Sequence, residues 1–441
     1  MSFATFRGGV HPDDGKSYSK DKPIQSYLPK GEMVYPVSQH IGAPAKPVVK
    51  KNDTVLMGQI IAEAGGFVSS NIISSVSGKV KTIENRMLPN GAIVNSIVIE
   101  NDGLYTPVEG LGTKRDYTQM SRQEIIEAVK DAGIVGLGGA GFPTHVKLSP
   151  KDPNKIDYII VNGAECEPYL TSDYRALLEM PEKIIEGLKI MVSLYDNAQG
   201  VIAIENNKPD AIEKVSSLVA NEPKIKVVPL KTKYPQGAER NLIYAVTGRT
   251  LHSKLLPADV GCIVDNVDTV VAIQMAVAET TPLMRRIVTV TGDGVNDPCN
   301  FEVKTGTCFE ELIEAAGGMK EGVEKVIAGG PMMGFAMSSL KVPVVKTSSA
   351  ITVFTHDEVA EYEETPCIRC GKCVEACPSH LVPVKMMQAA EKVDLKYFEA
   401  LNGMECYECG CCTFTCPARR PLTQAFKQMR QAVMAERRKK A

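Results

Sequence analysis

The sequence has almost no net charge, at −2 over 441 residues at pH 7, and so lacks the basic field of a typical nucleic-acid-binding protein. It also lacks any apolar run of about 18 residues, the length that a membrane-spanning helix requires. The apolar segment of a secretory signal is missing from residues 1–30. From these absences we expect a soluble, cytoplasmic chain that binds no nucleic acid and does not span a membrane.

The length predicts several domains, because one domain usually takes about 100–200 residues. With 44% hydrophobic and 23% charged residues, the composition is that of a globular protein and excludes a disordered chain. The patterns of apolar residues, glycines and cysteines divide the chain further. They predict an N-terminal arm over 1–30, a β module over 31–110, an α/β domain over 115–282, a second β module over 283–350, a cysteine-rich domain over 358–422 and a basic tail over 423–441.

Cysteine is concentrated near the C-terminus, where nine of the thirteen cysteines lie between Cys367 and Cys416. In an unexported chain, such a set predicts metal ligands in preference to disulfides. Four soft thiolates hold each cube of a 4Fe–4S cluster, and a repeated four-cysteine run is typical of proteins with two such clusters. Eight cysteines form two runs of the spacing C-x2-C-x2-C-x3-C, each followed by proline: Cys367, Cys370, Cys373 and Cys377, then Cys406, Cys409, Cys412 and Cys416.

The spacing also predicts how these ligands divide between the clusters. Two-residue spacers let three thiolates of a run reach one cube, and the extra residue carries the fourth to the other cube. Zinc is the alternative, although zinc sites usually take four ligands in two pairs. Cys411 lies inside the second run and is predicted not to be a ligand. The segment 378–405 between the runs predicts a helical ferredoxin arrangement. We assign Cys367, Cys370, Cys373 and Cys416 to one cluster, and Cys406, Cys409, Cys412 and Cys377 to the other.

From Tyr117 onward, the apolar residues follow the pattern of alternating helices and strands. Ser121 and Glu124 form a capping box, which predicts a helix that ends at Gly133. This alternation predicts a parallel sheet, with a binding site at the loops beyond the ends of its strands. The predicted strands lie at 156–161, 201–205, 225–230 and 262–264, and the predicted helices at 182–194, 210–219, near 237 and at 269–278.

A glycine-rich loop separates the first helix of this domain from its first strand. Gly136, Gly138 and Gly141 match G-x-G-x-x-G, but a helix precedes the match and Pro143 follows it, unlike a Rossmann fingerprint. Together with Gly139, these glycines would let backbone N–H groups approach a phosphate or a flat ring closely. On the glycines alone, a purely structural loop remains the alternative.

Both β modules resemble known module families. The segment GAPAKPVVKKNDTVLMGQIIAEAGG and the following SVSGKV resemble a barrel-sandwich of the biotinyl or lipoyl type. That family carries its prosthetic group on a lysine at a hairpin tip, where this sequence has Gly66 to Ser70 and no lysine, so we expect a structural module. The stretch 287–345, which contains VIAGGPMMG, resembles the soluble-ligand-binding β-grasp module and is interpreted as a spacer between its neighbours.

Four motifs of the α/β domain resemble the flavin and NADH site of the complex I flavoprotein subunit. They are GLGGAGFPTHVKL, VNGAECEP, YPQGAERNLIYAVTGR and DNVDT, in the same order. From FRGGVHP to the cysteine-rich domain, the whole chain resembles the C subunit of the Rnf complex, the ion-translocating ferredoxin–NAD oxidoreductase. The resemblance implies FMN and NAD(H) as cofactors, bound by Gly136, Gly138, Gly139, Gly141, Lys147, Asn162, Glu165, Glu167, Tyr234 and Asn266.

The same resemblance implies roles for individual residues. Lys147 would lie near the flavin phosphate or the nicotinamide, and Glu167 near the incoming NADH. Where complex I has an acid, a serine and an acid, this chain has Ala164, Cys166 and Ala238, and Cys166 is interpreted as a small buried residue. The other polar side chains would line the flavin ring and complete the pocket: Asn162, Glu165, Tyr234 and Asn266.

The resemblance therefore implies an α/β multidomain protein. Its parts would be a barrel-sandwich module, an FMN- and NADH-binding domain, a β-grasp module and a helical double-cluster ferredoxin domain. NADH-linked FMN would exchange a hydride and the two 4Fe–4S clusters would carry single electrons, with no catalytic side chain required. The chain would be a peripheral subunit on the cytoplasmic face of a membrane-bound complex, whose other subunits would move the ion. The alternatives are a flavin–cluster reductase of a corrinoid (cobalamin) and a non-enzymatic polyferredoxin that only conducts electrons, a wire of clusters. The basic tail is predicted to be a solvated helix.

Overall fold

The computed structural model describes residues 3–440, and its first module is a β sandwich. Strand β1 (Ile24–Tyr27) joins the sheet of a distant module. A four-stranded sheet in the order β2-β8-β7-β4 and a three-stranded sheet in the order β3-β5-β6 then enclose a common apolar core, to which Tyr35, Ile61 and Ile97 belong. The strands are β2 (Glu32–Pro36), β3 (Lys46–Pro47), β4 (Thr54–Val55), β5 (Ile60–Glu63), β6 (Ile72–Ile73), β7 (Gly78–Met87) and β8 (Ile93–Asn101).

The α/β domain begins with helix α1 (Arg122–Asp131), whose N-terminus has the predicted capping box. Ser121 Oγ accepts the backbone N–H of Glu124, and the Glu124 carboxylate accepts the backbone N–H of Ser121. The predicted alternation of helices and strands is confirmed, and each predicted end lies within two residues of the observed one. The helices Thr144–Lys147 and Ser172–Glu179 were not predicted. The elements that follow are α2 (Thr144–Lys147), β9 (Tyr158–Gly163), α3 (Ser172–Glu179), α4 (Pro181–Ser193), β10 (Gln199–Glu205), α5 (Pro209–Leu218), β11 (Ile225–Leu230), α6 (Glu239–Thr247), β12 (Cys262–Asn266) and α7 (Val267–Ala278).

The sheet of this domain is parallel, in the order β11-β10-β9-β12. From β9 the chain builds outward through β10 to β11 and then returns to the other side of β9 with β12. The strand order therefore reverses between β9 and β12, and open α/β sheets bind their ligands beyond the carboxyl ends of the strands at such a point. Here those ends are Gly163 and Asn266.

The β-grasp module has a six-stranded sheet in the order β1-β14-β13-β17-β15-β16. Strand β1 of the N-terminal arm supplies one edge by pairing in parallel with β14. The apolar face of α8, with Phe309 and Leu312, packs into the core of the module. Its elements are β13 (Arg285–Thr291), β14 (Cys299–Lys304), α8 (Phe309–Ala315), β15 (Lys325–Ala328), β16 (Phe335–Ala336) and β17 (Ala350–Phe354).

The cysteine-rich domain is helical and contains an internal repeat. Helices α10 and α13 each begin six residues after the last cysteine of a run, at Pro383 and Leu422. The basic segment after 422 forms α13, in which Phe426 and Val433 pack into the core of this domain and residues 434–439 are exposed. Among residues 3–440, no helix is long and apolar enough to cross a membrane. The helices are α9 (Lys372–Glu375), α10 (Pro383–Glu391), α11 (Leu395–Ala400), α12 (Cys411–Phe414) and α13 (Leu422–Lys440).

Candidate functional site

The glycine loop between α1 and α2 passes the carboxyl end of β12. A Cβ placed on Gly138 would lie 2.8 Å from Cβ of Asn266, so the close contact between loop and strand end requires glycine. Gly138, Gly139 and Ala140 are exposed at the tip, and a Cβ on Gly139 would have nothing within 4 Å. The tip therefore offers bare backbone to a ligand at the sheet edge, as a phosphate or flat-ring site requires.

A buried ion pair lies beneath this loop. Nζ of Lys147 is 3.0 Å from Oδ1 of Asp265 and also donates to the carbonyl of Val264. Asp265 is buried, which raises the pKa of its carboxyl group despite the nearby ammonium. Its Oδ2 has no hydrogen-bond partner within residues 3–440, so this acid can accept a further donor. Asp265 is not among the site residues that the resemblance implies. Its position at the end of β12, however, indicated that it belongs to the site.

Three of the predicted polar residues lie at or just beyond the carboxyl ends of β9 and β12. The side-chain amide of Asn162 donates to the carbonyl of Gly237 at 2.9 Å. Oε1 of Glu165 accepts the backbone N–H of Asp173 at 2.7 Å, and Asn266 donates its side-chain amide to the Asp173 carboxylate at 2.6 Å. Burial raises the pKa of Asp173 to about 7, with Glu165 acting in the same direction. Asp173, which the sequence motifs did not single out, therefore connects two predicted site residues.

Glu167 lies in the same loop but contacts a different module. Its Oε1 accepts the backbone N–H groups of Met332 and Met333 at 2.8 and 3.1 Å. A Cβ on Gly330 would lie 2.4 Å from Cγ of Glu167, so the β-grasp loop approaches closely. Burial raises the pKa of Glu167 to about 7, while these two amide donors oppose the shift. The β-grasp module thus contributes contacts to the site, which its interpretation as a spacer did not include.

Tyr234 lies where the α/β domain meets the cysteine-rich domain. Its ring is buried, and its hydroxyl group donates to the carbonyl of Cys409 at 2.7 Å. Burial raises the pKa of Tyr234 strongly, so the hydroxyl group keeps its proton and donates this hydrogen bond throughout the physiological range. Cys166 and Met332 pack against the same cluster of buried residues. The predicted flavin pocket and one group of cysteines are therefore in direct contact.

The eight cysteines of the two runs form two groups, with the fourth cysteine of each run in the other group. Burial raises the pKa of the Cys373 thiol, and the thiols of Cys416, Cys367 and Cys370 act in the same direction. Burial raises the pKa of Cys412 to about 12, again with contributions from the neighbouring thiols. The outer group, with two exposed members, is Cys367, Cys370, Cys373 and Cys416, and the inner group, with two buried members, is Cys377, Cys406, Cys409 and Cys412.

The two runs share the same backbone geometry. Arg369 and Glu408 occupy equivalent positions, and both have a left-handed backbone conformation. Each donates its N–H to the sulfur of the first cysteine of its run, Cys367 or Cys406, at 3.4 Å. Amide donors of this kind tune Fe–S clusters through hydrogen bonds to the sulfurs. Among residues 3–440, no three cysteine, histidine or acidic side chains converge as ligands of a single metal ion.

The N-terminal arm is a further part of the site that the sequence motifs did not predict. Val10 and Tyr234 exchange backbone hydrogen bonds, and Gly9 donates its N–H to the carbonyl of Ala376 at 2.8 Å. Farther along, the buried Nζ of Lys16 donates to the carbonyls of Leu170 and Glu167. The arm therefore lies between the loop that contains Tyr234, the loop after β9 that contains Glu165 and Glu167 (the acidic loop), and the inner cysteine group. No local motif predicts these contacts, since their partners lie more than 150 residues away in the sequence.

A substitution at Gly8 tests whether electron transfer requires the contact of the arm with the inner cysteine group. Its φ is +82°, and a Cβ there would lie 2.8 Å from the carbonyl oxygen of Cys377, so Gly8→Ala must shift the arm away from the inner group. We expect several-fold slower electron transfer from the predicted flavin to the predicted clusters in stopped-flow spectra. Gly112→Ala is the matched control, because its φ is +80° and nothing lies within 4 Å. Both variants carry about 1–2 kcal/mol of left-handed strain, and equal rates in the two would show that the arm is not needed.

Models of known families match four segments of the chain in order. An RnfC barrel sandwich hybrid domain matches residues 4–104, and a Nuo51 FMN-binding domain matches 129–275. An SLBB domain matches 287–336, and a 4Fe–4S dicluster domain matches 360–434. The predicted fold class and the FMN and 4Fe–4S cofactors are thereby confirmed. The bare loop tip, the unpaired Asp265 oxygen and the two groups of thiols fit those cofactors.

Curated relatives cover almost the whole chain. The C subunit of the proton-translocating ferredoxin:NAD+ oxidoreductase complex of Clostridium ljungdahlii is 47% identical over 88% of this chain and 85% of the relative. The Na+-translocating counterpart of Acetobacterium woodii is 42% identical over 100% and 99%. The C subunit of the ion-translocating oxidoreductase complex of Rhodobacter capsulatus is 39% identical over 98% and 84%. An NAD+-reducing NiFe hydrogenase in the air-oxidized state, with a TM-score of 0.50 and 21% identity over 74% of this chain and 65% of that one, shares the fold.

Proposed function

We propose, since this chain belongs to the family of Rnf complex C subunits, that it relays electrons between NAD(H) and the other subunits of an ion-translocating ferredoxin:NAD+ oxidoreductase. Relatives named as the C subunits of such complexes are 39–47% identical over 88–100% of this chain. The chain is then a peripheral subunit on the cytoplasmic face of the membrane. Its partner subunits carry out the ion translocation.

One observation carries the proposal, namely the contact of Tyr234 with the inner cysteine group. Tyr234 belongs to the FMN-binding domain and donates to the carbonyl of Cys409, which is a predicted cluster ligand. The outer group lies beyond it and exposes Cys367 and Cys370 to solvent. This order supports a relay from the flavin through the inner cluster to the outer cluster, and from there to a partner subunit.

In this proposal, the residues of this chain bind and orient the cofactors. The exposed backbone at Gly138 and Gly139 would hold FMN, next to Asn162 and Asn266, which are paired near the carboxyl ends of β9 and β12. When bound, FMN supplies the conversion between the two-electron chemistry of a hydride and the one-electron chemistry of the clusters. Glu167 holds the β-grasp loop against the site, because its carboxylate accepts the backbone N–H groups of Met332 and Met333. No protein side chain is required to transfer a proton with the hydride.

An anaerobic titration of the purified chain with NADH tests the proposal. We expect the flavin absorbance to bleach first and the cluster absorbance to decrease next, because the flavin alone can accept a hydride. The Gly139→Leu chain, which is expected to lack FMN, serves as the control and should show neither change. Full clusters that stay oxidised beside a bound flavin in excess NADH would contradict the function. A wild-type chain that retains no flavin would favour a non-enzymatic wire of clusters.

A further inference from the structure

The glycine loop has two ends that lie in different surroundings. At one end, Gly138 packs against Asn266 at the carboxyl edge of the parallel sheet. At the other end, the Gly141 carbonyl accepts the backbone N–H of Ile41 at 3.2 Å, so this end rests on the barrel-sandwich module. The exposed tip lies between them. A ligand that is bound at the sheet edge and is long enough to cross the tip therefore reaches the barrel-sandwich module.

Phe67 is exposed at the place where the barrel-sandwich module meets this end of the loop. It lies at the hairpin tip that would carry the lysine in a biotinyl or lipoyl domain, and 70% of its surface is exposed. The tip is nevertheless held in place: Nε2 of His145, on the helix that follows the glycine loop, lies 3.2 Å from the Phe67 carbonyl oxygen. The two rings meet edge to face, with centroids 6.2 Å apart.

Neighbouring contacts fix the hairpin from its other side. Ala43 donates its N–H to the carbonyl of Val68 at 2.9 Å, and Gly65 donates to Oγ of Ser69 at 2.8 Å. The phenyl ring is thus presented to solvent by a backbone that is bound to both the barrel-sandwich module and α2. A pre-positioned ring of this kind binds a flat ligand without the loss of conformational freedom that a mobile one would incur.

We propose that Phe67 is the stacking surface for the adenine ring of the dinucleotide. This inference rests on the proposed function, since it places the nicotinamide half of NAD(H) at the sheet edge with the flavin. The pyrophosphate then crosses the bare backbone of the tip, and the adenine ring reaches Phe67. Aromatic side chains bind bases by stacking against their faces. The barrel-sandwich module is therefore a wall of the nucleotide site and not only a structural module.

The test compares two reductants with the full-length, cofactor-loaded chain and ferricyanide as acceptor. Phe67→Ala should raise the KM for NADH about tenfold and leave kcat within about twofold, because stacking far from the flavin affects binding and not hydride transfer. The KM for reduced nicotinamide mononucleotide, which has no adenine, should stay the same. Phe67→Tyr should restore the wild-type KM for NADH. Flavin content, measured after denaturation, should be unchanged in both variants.

The control is Ile93→Ala, which removes another exposed apolar side chain of the same module, with 67% of its surface accessible. It should leave both KM values unchanged. An unchanged KM for NADH in Phe67→Ala would overturn the inference while leaving the proposed function intact. An equal rise in KM for both reductants, or loss of flavin, would overturn it in favour of a purely structural role. A wild-type chain that does not oxidise NADH would overturn the proposed function, and this inference with it.

Discussion

Anaerobically purified Cys406→Ala protein is expected to contain about four iron and four sulfide per chain, half of the about eight of each that two 4Fe–4S clusters supply. An alanine methyl group cannot replace a thiolate ligand, and Cys406 belongs to the inner group with Cys409, Cys412 and Cys377. Iron and acid-labile sulfide analysis measures the loss. Stoichiometric zinc with no labile sulfide in the wild-type chain would contradict the cluster assignment itself.

The same variant should interrupt the relay at a defined step. We expect NADH to bleach the FMN of Cys406→Ala at the wild-type rate, because hydride transfer from NADH to the flavin precedes the step that needs the clusters. The remaining outer cluster should stay oxidised, because Tyr234 of the predicted flavin pocket contacts the inner group, whereas the outer group has two solvent-exposed members. Cys416→Ala should behave differently, with loss of the outer cluster while the flavin still reduces the inner one. Stopped-flow spectra and the EPR signals of the reduced clusters would separate these outcomes.

Cys411 provides the matched control for both variants. Its thiol is buried beside the inner group and lies near the carbonyl of Tyr234, but the run spacing predicts that it is not a ligand. Cys411→Ala should therefore keep about eight iron and a complete relay. If Cys406→Ala abolished flavin reduction while FMN stayed bound, the clusters would have to lie between nicotinamide and flavin. If Cys416→Ala left the inner cluster without electrons, the inner and outer positions would be reversed.

Replacing Gly139 with leucine is expected to abolish FMN binding without unfolding the domain. A Cβ at this position meets no protein atom within 4 Å, and the residue needs no left-handed backbone, so leucine fits the free loop. The added side chain would instead occupy the space in which the flavin approaches the backbone. We expect less than a tenth of the wild-type flavin in the purified variant, measured by fluorescence after denaturation, with the iron content unchanged.

Gly66→Leu is the control for this substitution. Gly66 is also exposed, has no left-handed backbone requirement, and has only Cβ of Ala43 within 4 Å, at 3.7 Å. The control should keep its full flavin content. Wild-type flavin in Gly139→Leu would mean that the loop tip does not contact FMN, and the site would have to be sought elsewhere. Loss of iron in the same variant would point to a folding defect instead.

The sequence by itself determined the features that depend on short-range spacing. The division of the eight cysteines into two crossed groups follows from two- and three-residue spacers, because these fix how far a thiolate lies from its neighbours along the chain. The capping box at Ser121 and Glu124 and the alternation of helices and strands are local in the same sense. The glycine loop and the motifs around Asn162 and Asn266 were recognisable because each is a continuous segment.

Only the tertiary structure decided which parts of these segments meet. The approach of Tyr234 to Cys409 makes one cysteine group inner and the other outer, and these residues are 175 positions apart. Lys16 reaches the acidic loop from an arm with no motif, and the backbone N–H groups of Met332 and Met333 fix Glu167 from the β-grasp module. Such contacts depend on how whole domains pack, so the spacing of residues along the chain could not predict them. In addition, a backbone N–H donor is present at almost every residue, so no residue type marks its position in the sequence.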